Sequence, residues 1–396
     1  MTEERARVAL PRPGRARLRL GAEVLAPLVL VGIVALVGAQ LSAADKTDAI
    51  NVLVTTVIVV GLYVFIGNSG VISFGQISFV AVGAFAAAIW TTPVATRDAT
   101  MPDLFGFLAT PRLTSTESLL VGAGLGALFA LAVGLALMRL SGLSAGIATF
   151  AVLEITYNVL ANWDKIGPGP TTLADVPATT GITQALVGCA IAIVVAFAYQ
   201  QTRSCRLLRA SRADPLAARG IGVSIFRHRL VAFVISGAIC GFAGALYAHE
   251  LGSISVTQVY LALTFSTLSM LVVGGSQSLW GASVGGVLLG VLFSFLSNAV
   301  NGTTVLGFSF TLPNGLNTII FAILFVGALM LAPRGLTRSR EFLAVALGER
   351  PPRARPPGTI AGRSPGAEVP LGAEPEPSEG TPTSGAGESA HTGPPR

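Results

Sequence analysis

The chain has 396 residues, of which 52% are hydrophobic and only 12% are charged. Soluble domains have about 25% charged residues, so this composition excludes an ordinary water-soluble fold and indicates an integral membrane protein. The net charge of +6 comes from basic segments beside apolar runs, which the positive-inside rule explains without a nucleic-acid partner.

The chain begins with a basic segment, residues 1–22, that holds six Arg in its first 20 residues. The apolar run that follows ends in the small residues Ser42, Ala43 and Ala44, as a secretory signal peptide would. That run is long for a signal peptide, and its removal would leave an odd number of spans. We therefore favour a first transmembrane helix behind a cytoplasmic N-terminal segment.

Ten apolar segments occur along the chain, each close to the roughly 20 residues that a transmembrane helix needs. They are 23–42, 49–66, 70–90, 118–138, 143–161, 181–199, 230–248, 258–274, 281–299 and 315–332. The sequence therefore predicts an all-α polytopic integral membrane protein, with about ten transmembrane helices within residues 23–335.

The basic loops orient these spans. With the N-terminus inside, alternation places the seven-Arg loop 200–229 and the tail after Pro333 in the cytoplasm, and the acidic loops outside. This satisfies the positive-inside rule and predicts that both termini are cytoplasmic. Residues 336–396 form a predicted cytoplasmic tail, whose Pro-, Gly-, Ser- and Glu-rich composition from about residue 349 is typical of disorder.

The third span begins with an unusual stretch, GNSGVISFGQISF, at 67–79. Its small residues fit close helix packing, but packing alone does not explain its Asn, Ser and Gln side chains. Polar or irregular backbone at membrane depth persists only where protein buries it or water lines it. We interpret 67–79 as a tight cytoplasmic turn, placed near 67–69, that enters a broken or closely packed third span, with Ser73, Gly75 and Gln76 as candidate residues of a solute path.

The fifth span contains the one clear intramembrane acid, Glu154. A charge at the bilayer centre costs about 2.5–3.5 kcal/mol on insertion scales, so this side chain is expected to face protein or water. Thr149 precedes it in the same span, and Asn158 follows four residues later on the same helical face. Three roles stay open for Glu154: a hydrogen-bonded structural acid, a residue of a polar path, and a proton-coupling carboxylate. Thr149, Glu154 and Asn158 complete the candidate path residues.

The cytoplasmic loop 200–229 contains a predicted short helix. Asp214 suits the N-cap and Pro215 the first helical turn, while Gly220 or Gly222 can end the helix in a left-handed conformation. With its neighbouring Arg residues, this helix either binds lipid phosphates or docks a partner protein. The members of the predicted docking helix are Asp214, Pro215, Leu216, Ala217, Ala218, Arg219 and Gly220.

Motifs for catalysis and for cofactors are missing from the sequence. A phosphate-binding P-loop needs Lys between Gly and Ser or Thr, whereas the only Lys residues, Lys46 and Lys165, each follow Asp. The three Cys and three His residues lack the spacing of metal ligands. We therefore expect no enzyme activity, no cofactor and no metal in this chain.

Four segments in order resemble the LivM-type permease subunits of branched-chain amino acid ABC importers. They are GNSGVISFGQISFVAVGAF at 67–85, MRLSGLSAGIATFAVLEI at 138–155, the loop and span at 210–249, and MLVVGGSQSLWGASVGG at 270–286. The resemblance covers roughly residues 45–335. The chain departs from the family at Gln76, where the family often has His, and at 166–177, where its TGGxxGL pattern is replaced by IGPGPTTLADVP.

The resemblance implies a permease in the bacterial inner membrane that imports amino acids or similar small polar solutes. It implies a second permease subunit, two cytoplasmic subunits that bind ATP, and an external solute-binding protein. The helix at 214–220 would be the coupling helix that sits in an ATPase groove. The alternative is an ion-coupled secondary transporter, a class that usually has several ionisable groups near the midplane, where this chain has only Glu154.

Overall fold

The structure is a computed structural model, and it describes residues 13–40, 42–106, 112–167, 169, 171–300, 304–305, 308–309, 319–320, 323 and 327. Helices make up most of this part of the chain. In order they are α1 (Pro13–Gln40), α2 (Ala43–Ser69), α3 (Gln76–Thr91), α4 (Val94–Thr100), α5 (Ser115–Leu137), α6 (Leu143–Asn162), α7 (Ile182–Gln201), α8 (Arg203–Ala213), α9 (Pro215–Gly220), α10 (Ile225–Leu251), α11 (Leu261–Gly274) and α12 (Leu279–Val300). A turn of 3-10 helix, Val256–Val259, precedes α11, and two short antiparallel strands, β1 (Thr304–Val305) and β2 (Phe308–Ser309), follow α12.

Eight helical segments of the described chain are long and apolar enough to cross a membrane. They belong to α1, α2, α5, α6, α7, α10, α12 and the 3-10 turn joined to α11, while the apolar α3 has only 16 residues. The all-α polytopic membrane class is therefore confirmed. The tenth predicted span, 315–332, lies almost entirely outside the described residues, and the tail 336–396 lies wholly outside them. The number ten and the cytoplasmic termini stay predictions.

Helix α2 lies at the centre of the bundle. In its apolar segment Asp45–Ser69, 94% of the residues are buried, and it contacts α1, α7, α10 and α12. Helix α10 packs on α2, α3 and α5, whereas α6 makes fewer contacts, with α3, α5 and the 3-10 turn. The core is therefore built around α2, α3 and α10, and α6 lies at its edge.

Glycines allow the backbones of α3, α5 and α10 to touch. A Cβ atom on Gly83 of α3 would collide with the carbonyl oxygen of Gly241 in α10, and one on Gly126 of α5 would collide with that of Gly237. Small residues at such crossings let membrane helices gain van der Waals contact at short range. Gly83 and Gly126 thus mark close approaches of α3 and α5 to α10.

The predicted turn at 67–69 is wrong, because α2 continues through these residues to Ser69. Within the helix, Asn68 Nδ2 donates to the Val64 carbonyl at 2.8 Å, and Gly70 ends α2 with a left-handed φ of 71°. The predicted start of the third span is also wrong, since 70–75 is not helical and α3 begins only at Gln76. The stretch 67–79 thus comprises the end of α2, an irregular connection at 70–75 and the beginning of α3.

The predicted loop 200–229 is largely helical. It contains α8 and α9, and α10 begins at Ile225 instead of residue 230. Helix α8 was missed because its many Arg residues read as a loop, although Cys205 and Leu208 form a buried apolar face with 0% and 1% exposure. At the other end of the chain, α1 begins at Pro13, inside the predicted basic segment 1–22.

Candidate solute path and docking helix

The N-terminal end of α3 lies against α6, inside the helix bundle. The Phe74 N–H donates to Thr149 Oγ1 at 3.2 Å, and Thr149 lies six residues after Leu143, or about 9 Å into α6 at 1.5 Å per residue. A Cβ atom on Gly75 would lie 2.9 Å from the Thr149 carbonyl oxygen. The structure therefore brings the predicted path residues Gly75 and Thr149 together.

Three polar side chains at this end of α3 are buried without a hydrogen-bond partner. Their unpaired atoms are Ser73 Oγ, Gln76 Nε2 and Oε1, and Ser78 Oγ, and each residue is at most 1% exposed. The N-cap residue Gly75 makes no side-chain cap for the first N–H groups of α3. Because buried polar groups are normally paired, this concentration of unpaired atoms marks Ser73 and Gln76 as candidate site residues.

The remaining predicted path residues lie further along α6. Glu154 Oε1 accepts a hydrogen bond from Asn158 Nδ2 at 2.9 Å, and Oε2 accepts one from the Tyr260 hydroxyl. The Tyr260 ring stacks on Tyr157, with centroids 4.0 Å apart. Glu154 is half-buried and Asn158 is exposed. An open depression here is lined by Glu154, Ile155, Asn158, Val159, Asn162 and Trp163.

An exposed surface beside Glu154 is called the α6 face here. Its members are all exposed side chains, namely Ile147, Phe150, Ile155 and Asn158 of α6 and Phe265 of α11. The ring of Phe74 packs edge-on against Phe150 and against Phe265, each at a centroid distance of 6.2 Å. This aromatic cluster of Phe74, Phe150 and Phe265 connects the N-terminal end of α3 with the α6 face. The hydrogen bonds of Glu154 fit a structural acid, and its position beside the α6 face also fits a path residue.

Two arginines of α8 bind the C-terminal end of α2, and this arrangement is called the α8 clamp here. Arg209 Nε donates to Asn68 Oδ1 at 2.7 Å and its Nη2 donates to the Tyr63 hydroxyl at 2.9 Å. Arg212 Nη1 donates to the Gly67 carbonyl at 3.2 Å. Positive charge at a helix C-terminus is favoured by the helix dipole. Asn68, which broke the apolar pattern of the sequence, therefore has a structural partner.

Two further side chains support the α8 clamp. Burial raises the pKa of the Cys205 thiol, so the thiol stays protonated and donates to Asn68 Oδ1 at 3.2 Å. Gln200 Nε2 donates to the Tyr63 hydroxyl at 2.9 Å. The sequence analysis placed Cys205 and Gln200 in the loop 200–229, and the spacing of Cys205, Leu208 and Arg212 along one helical face was the available signal for α8.

Helix α9 is capped as the sequence predicts. Asp214 Oδ1 accepts hydrogen bonds from the N–H groups of Leu216 and Ala217 at 2.9 and 3.0 Å. Gly222, not Gly220, takes the left-handed conformation, with φ of 80°. Leu216 is 77% exposed, and Ile221, directly after the helix, is 81% exposed.

Not every member of the predicted docking helix is free to contact a partner. Ala218 is only 7% exposed and faces its own chain, because α9 packs on α8 and α10. Arg219 and Gly220 are exposed. The accessible part of α9 is therefore its Leu216 side and its C-terminal end.

Two acids lie at the opposite end of the bundle from the α8 clamp, near the start of α2 and the end of α10. Asp48 lies in α2, where Oδ2 accepts a hydrogen bond from Asn298 Nδ2. Glu250 lies in the last turn of α10 and is hydrogen-bonded to Asn51. Glu250 belongs to α10 because this helix extends to Leu251, beyond the predicted end at residue 248.

A family model described as branched-chain amino acid transport system / permease component matches residues 49–331. The chain belongs to this family. Among curated relatives, the high-affinity branched-chain amino acid transport system permease protein LivM of Salmonella typhimurium is 27% identical over 58% of each chain. The protein of the same name from Escherichia coli is 26% identical over 68% of each chain.

Other relatives of this permease family are named for different solutes. A nucleoside ABC transporter permease protein, NupC of Lactococcus lactis, is 28% identical over 62% of this chain and 78% of its own. The chain spans 58% of the length of the Salmonella relative and 39% of that of LivH from Methanocaldococcus jannaschii. No solved structure matches the chain. Family membership and eight apolar helices make this a multi-pass protein of the bacterial inner membrane, and they leave its solute open.

Proposed function

We propose that this chain is the membrane-spanning permease subunit of an ABC importer that carries amino acids, or similar small polar solutes, into the cell. Two cytoplasmic subunits would bind and hydrolyse ATP, a second permease subunit would complete the path, and an external solute-binding protein would deliver the solute. The observation that carries the proposal is the capped and exposed helix α9 in a chain of this permease family.

Helix α9 has the properties expected of a coupling helix. Its exposed apolar side chains, Leu216 and Ile221, give a partner surface to bury, and Arg219 beside them is available for charge contacts at the rim of an interface. Nothing within 4 Å occupies the space beside Gly220. A groove on an ATP-binding subunit would cover this end of α9, which accounts for apolar residues left in water.

The solute path is proposed to run along the α6 face, between this chain and the second permease subunit. An ionisable side chain in a membrane normally faces the protein interior or a water-filled cavity, whereas Glu154 and Asn158 lie on an uncovered surface. A second subunit over α6 and α11 would enclose them. The proposed path residues are Ser73, Gly75, Gln76, Thr149, Glu154 and Asn158.

The identity of the solute is also a proposal. The relatives named LivM support a branched-chain amino acid, while relatives named for autoinducer 2, arabinose and nucleosides support other small polar solutes. No cofactor is proposed for this chain, because ATP would be bound by the partner subunits.

The proposal is tested by purifying the tagged chain from its native membranes and measuring uptake in proteoliposomes. We expect ATP-binding subunits to co-purify and uptake of L-leucine to require ATP and the solute-binding protein. Uptake that ignores ATP and follows a proton gradient would instead establish the secondary-transporter alternative.

A charge introduced on α9 tests the docking surface. We expect Leu216→Asp to reduce co-purification of the ATP-binding subunits at least tenfold, because it places a carboxylate in an apolar contact. The matched control is Ala99→Asp on α4, an exposed residue of another short helix, which we expect to co-purify like the wild type. Equal co-purification by both variants would contradict the role proposed for α9.

A further inference from the structure

Unpaired hydrogen-bonding groups are concentrated at the N-terminal end of α3. Ser73 Oγ, Ser78 Oγ and both polar atoms of Gln76 have no partner in the described chain. The N–H groups of Gln76 and Ile77, at the start of the helix, also lack intrahelical acceptors, whereas that of Ser78 donates to the Gly75 carbonyl at 3.1 Å, and Gly75 offers no side-chain cap. Together these groups are called the α3 site.

The electrostatics of the α3 site favour an anion. The aligned peptide dipoles of a helix give its N-terminus roughly half a positive charge, and helix N-termini bind phosphates and carboxylates for this reason. Side chains of a helix tilt toward its N-terminus, so Gln76, the first residue of α3, is directed at this end. Glu154 lies five residues beyond Thr149 on α6, or about 7.5 Å along the helix axis, so this acid is not adjacent to the α3 site.

We propose that the α3 site binds the carboxylate of the solute as it crosses the membrane. The inference rests on the proposed function, and it adds a recognition element for one class of solute. The Ser73 hydroxyl, Gln76 Nε2 and the first N–H groups of α3 donate to the carboxylate. Gln76 Oε1 is left to accept from an ammonium group on the neighbouring carbon, so an α-amino acid satisfies both the unpaired donors and the unpaired acceptor.

Neutral solutes match the site less well. The hydroxyl groups of a sugar can pair with Ser73 and Gln76, but they carry no negative charge to interact with the dipole of α3. A cation would be repelled by the same dipole. The site is therefore best suited to a carboxylate, which is the group that separates amino acids from the sugars and nucleosides named for other relatives in the family.

The aromatic cluster controls access to the α3 site. Phe74 lies between Ser73 and Gly75 in sequence, and its ring contacts Phe150 and Phe265 at the α6 face. In this structure the α3 site is closed, because its side chains are at most 1% exposed. Displacement of the Phe74 ring from these two contacts would open the site toward the α6 face, where the path is proposed.

The test uses the complete transporter in proteoliposomes, with saturating solute-binding protein, so that the uptake rate reports translocation. The probes are radiolabelled L-leucine, L-arabinose and urea. We expect Gln76→Glu to reduce L-leucine uptake at least tenfold, because it adds a competing carboxylate. Gln76→Met, which removes both polar groups of the amide, and Ser73→Ala, which removes one hydroxyl, should reduce it about threefold to tenfold. The matched control is Ser283→Ala, a buried serine already paired with the Leu279 carbonyl, which should stay within twofold of the wild type.

Assembly of the complex and its ATPase activity without solute are measured for every variant, and both should match the wild type. If Gln76→Glu does not assemble, Ser73→Ala and Gln76→Met decide the result. Wild-type L-leucine uptake in all Gln76 and Ser73 variants that assemble overturns the carboxylate site and leaves the proposed function intact. If the wild type transports L-arabinose or urea but not L-leucine, the carboxylate site is likewise overturned and the proposed function stays intact. Uptake that does not depend on ATP for any of the three probes overturns the proposed function as well.

Discussion

The α8 clamp should make a measurable contribution to stability through Arg209. The substitution Arg209→Met keeps much of the aliphatic side chain and removes the donors to Asn68 Oδ1 and the Tyr63 hydroxyl. A hydrogen bond to a charged group contributes about 1.5–3 kcal/mol, so two bonds set an upper bound of about 3–6 kcal/mol. Both acceptors keep another donor, Cys205 and Gln200 respectively, and Arg209 is exposed. We therefore expect a loss of about 2 kcal/mol in the free energy of unfolding.

A double-mutant cycle separates this interaction from general effects of losing a charge. Arg209→Met, Asn68→Leu and the double variant are unfolded reversibly in mixed detergent and SDS micelles, and the three losses are compared. Contacting residues in one network show coupling of about 0.5–3 kcal/mol, and we expect about 1–2 kcal/mol here. The control Arg206→Met removes another exposed Arg of α8 and should change stability by less than about 0.5 kcal/mol. Coupling below about 0.5 kcal/mol between Arg209 and Asn68 would refute the clamp.

Three further substitutions test the path, the core and the docking helix. Glu154→Gln can keep a hydrogen bond to Tyr260 but loses the charge. We therefore expect normal yield with at least threefold slower ATP-dependent uptake. Unchanged uptake would assign Glu154 a structural role. Gly83→Leu should abolish the yield of monodisperse protein, because the new side chain forces α3 away from α10. The control Gly124→Leu has open space around it and should express normally. Similar yields of the two variants would contradict the close packing of α3 on α10. Gly220→Trp has room within the chain, so normal uptake by this variant would argue against docking through α9.

The long apolar runs could be located from sequence because membrane spans depend mainly on length and composition. The break before α3 was placed incorrectly for a physical reason. Asn68 and Ser69 have low helix propensity, but α2 retains them because Asn68 bonds to Val64 within the helix and to Arg209 from α8. Such a contact between residues far apart in sequence cannot be read from a local pattern.

In the candidate site, too, local features could be predicted from sequence, whereas contacts between distant segments could not. Asp214 and Pro215 were predictable as a helix start because capping is local chemistry. Gly75 and Thr149 could both be named from sequence, but their contact depends on how α3 and α6 pack. The partners of Glu154 were only half predictable, since Asn158 follows by helical periodicity, whereas Tyr260 comes from a distant segment.

Because α2 is deeply buried, its length does not have to match the thickness of the bilayer. Its 27 residues span about 40 Å at 1.5 Å per residue, against a hydrocarbon core of about 30 Å. A lipid-facing helix of this length would have to tilt or deform the bilayer around it, but α2 is surrounded by protein and meets few lipids. Only the outer helices need to match the membrane. The end of α2 that carries Asn68 can thus extend beyond the hydrocarbon core to α8. Contacts with the protein set the position of this end along the membrane normal, which is therefore insensitive to the surrounding lipids.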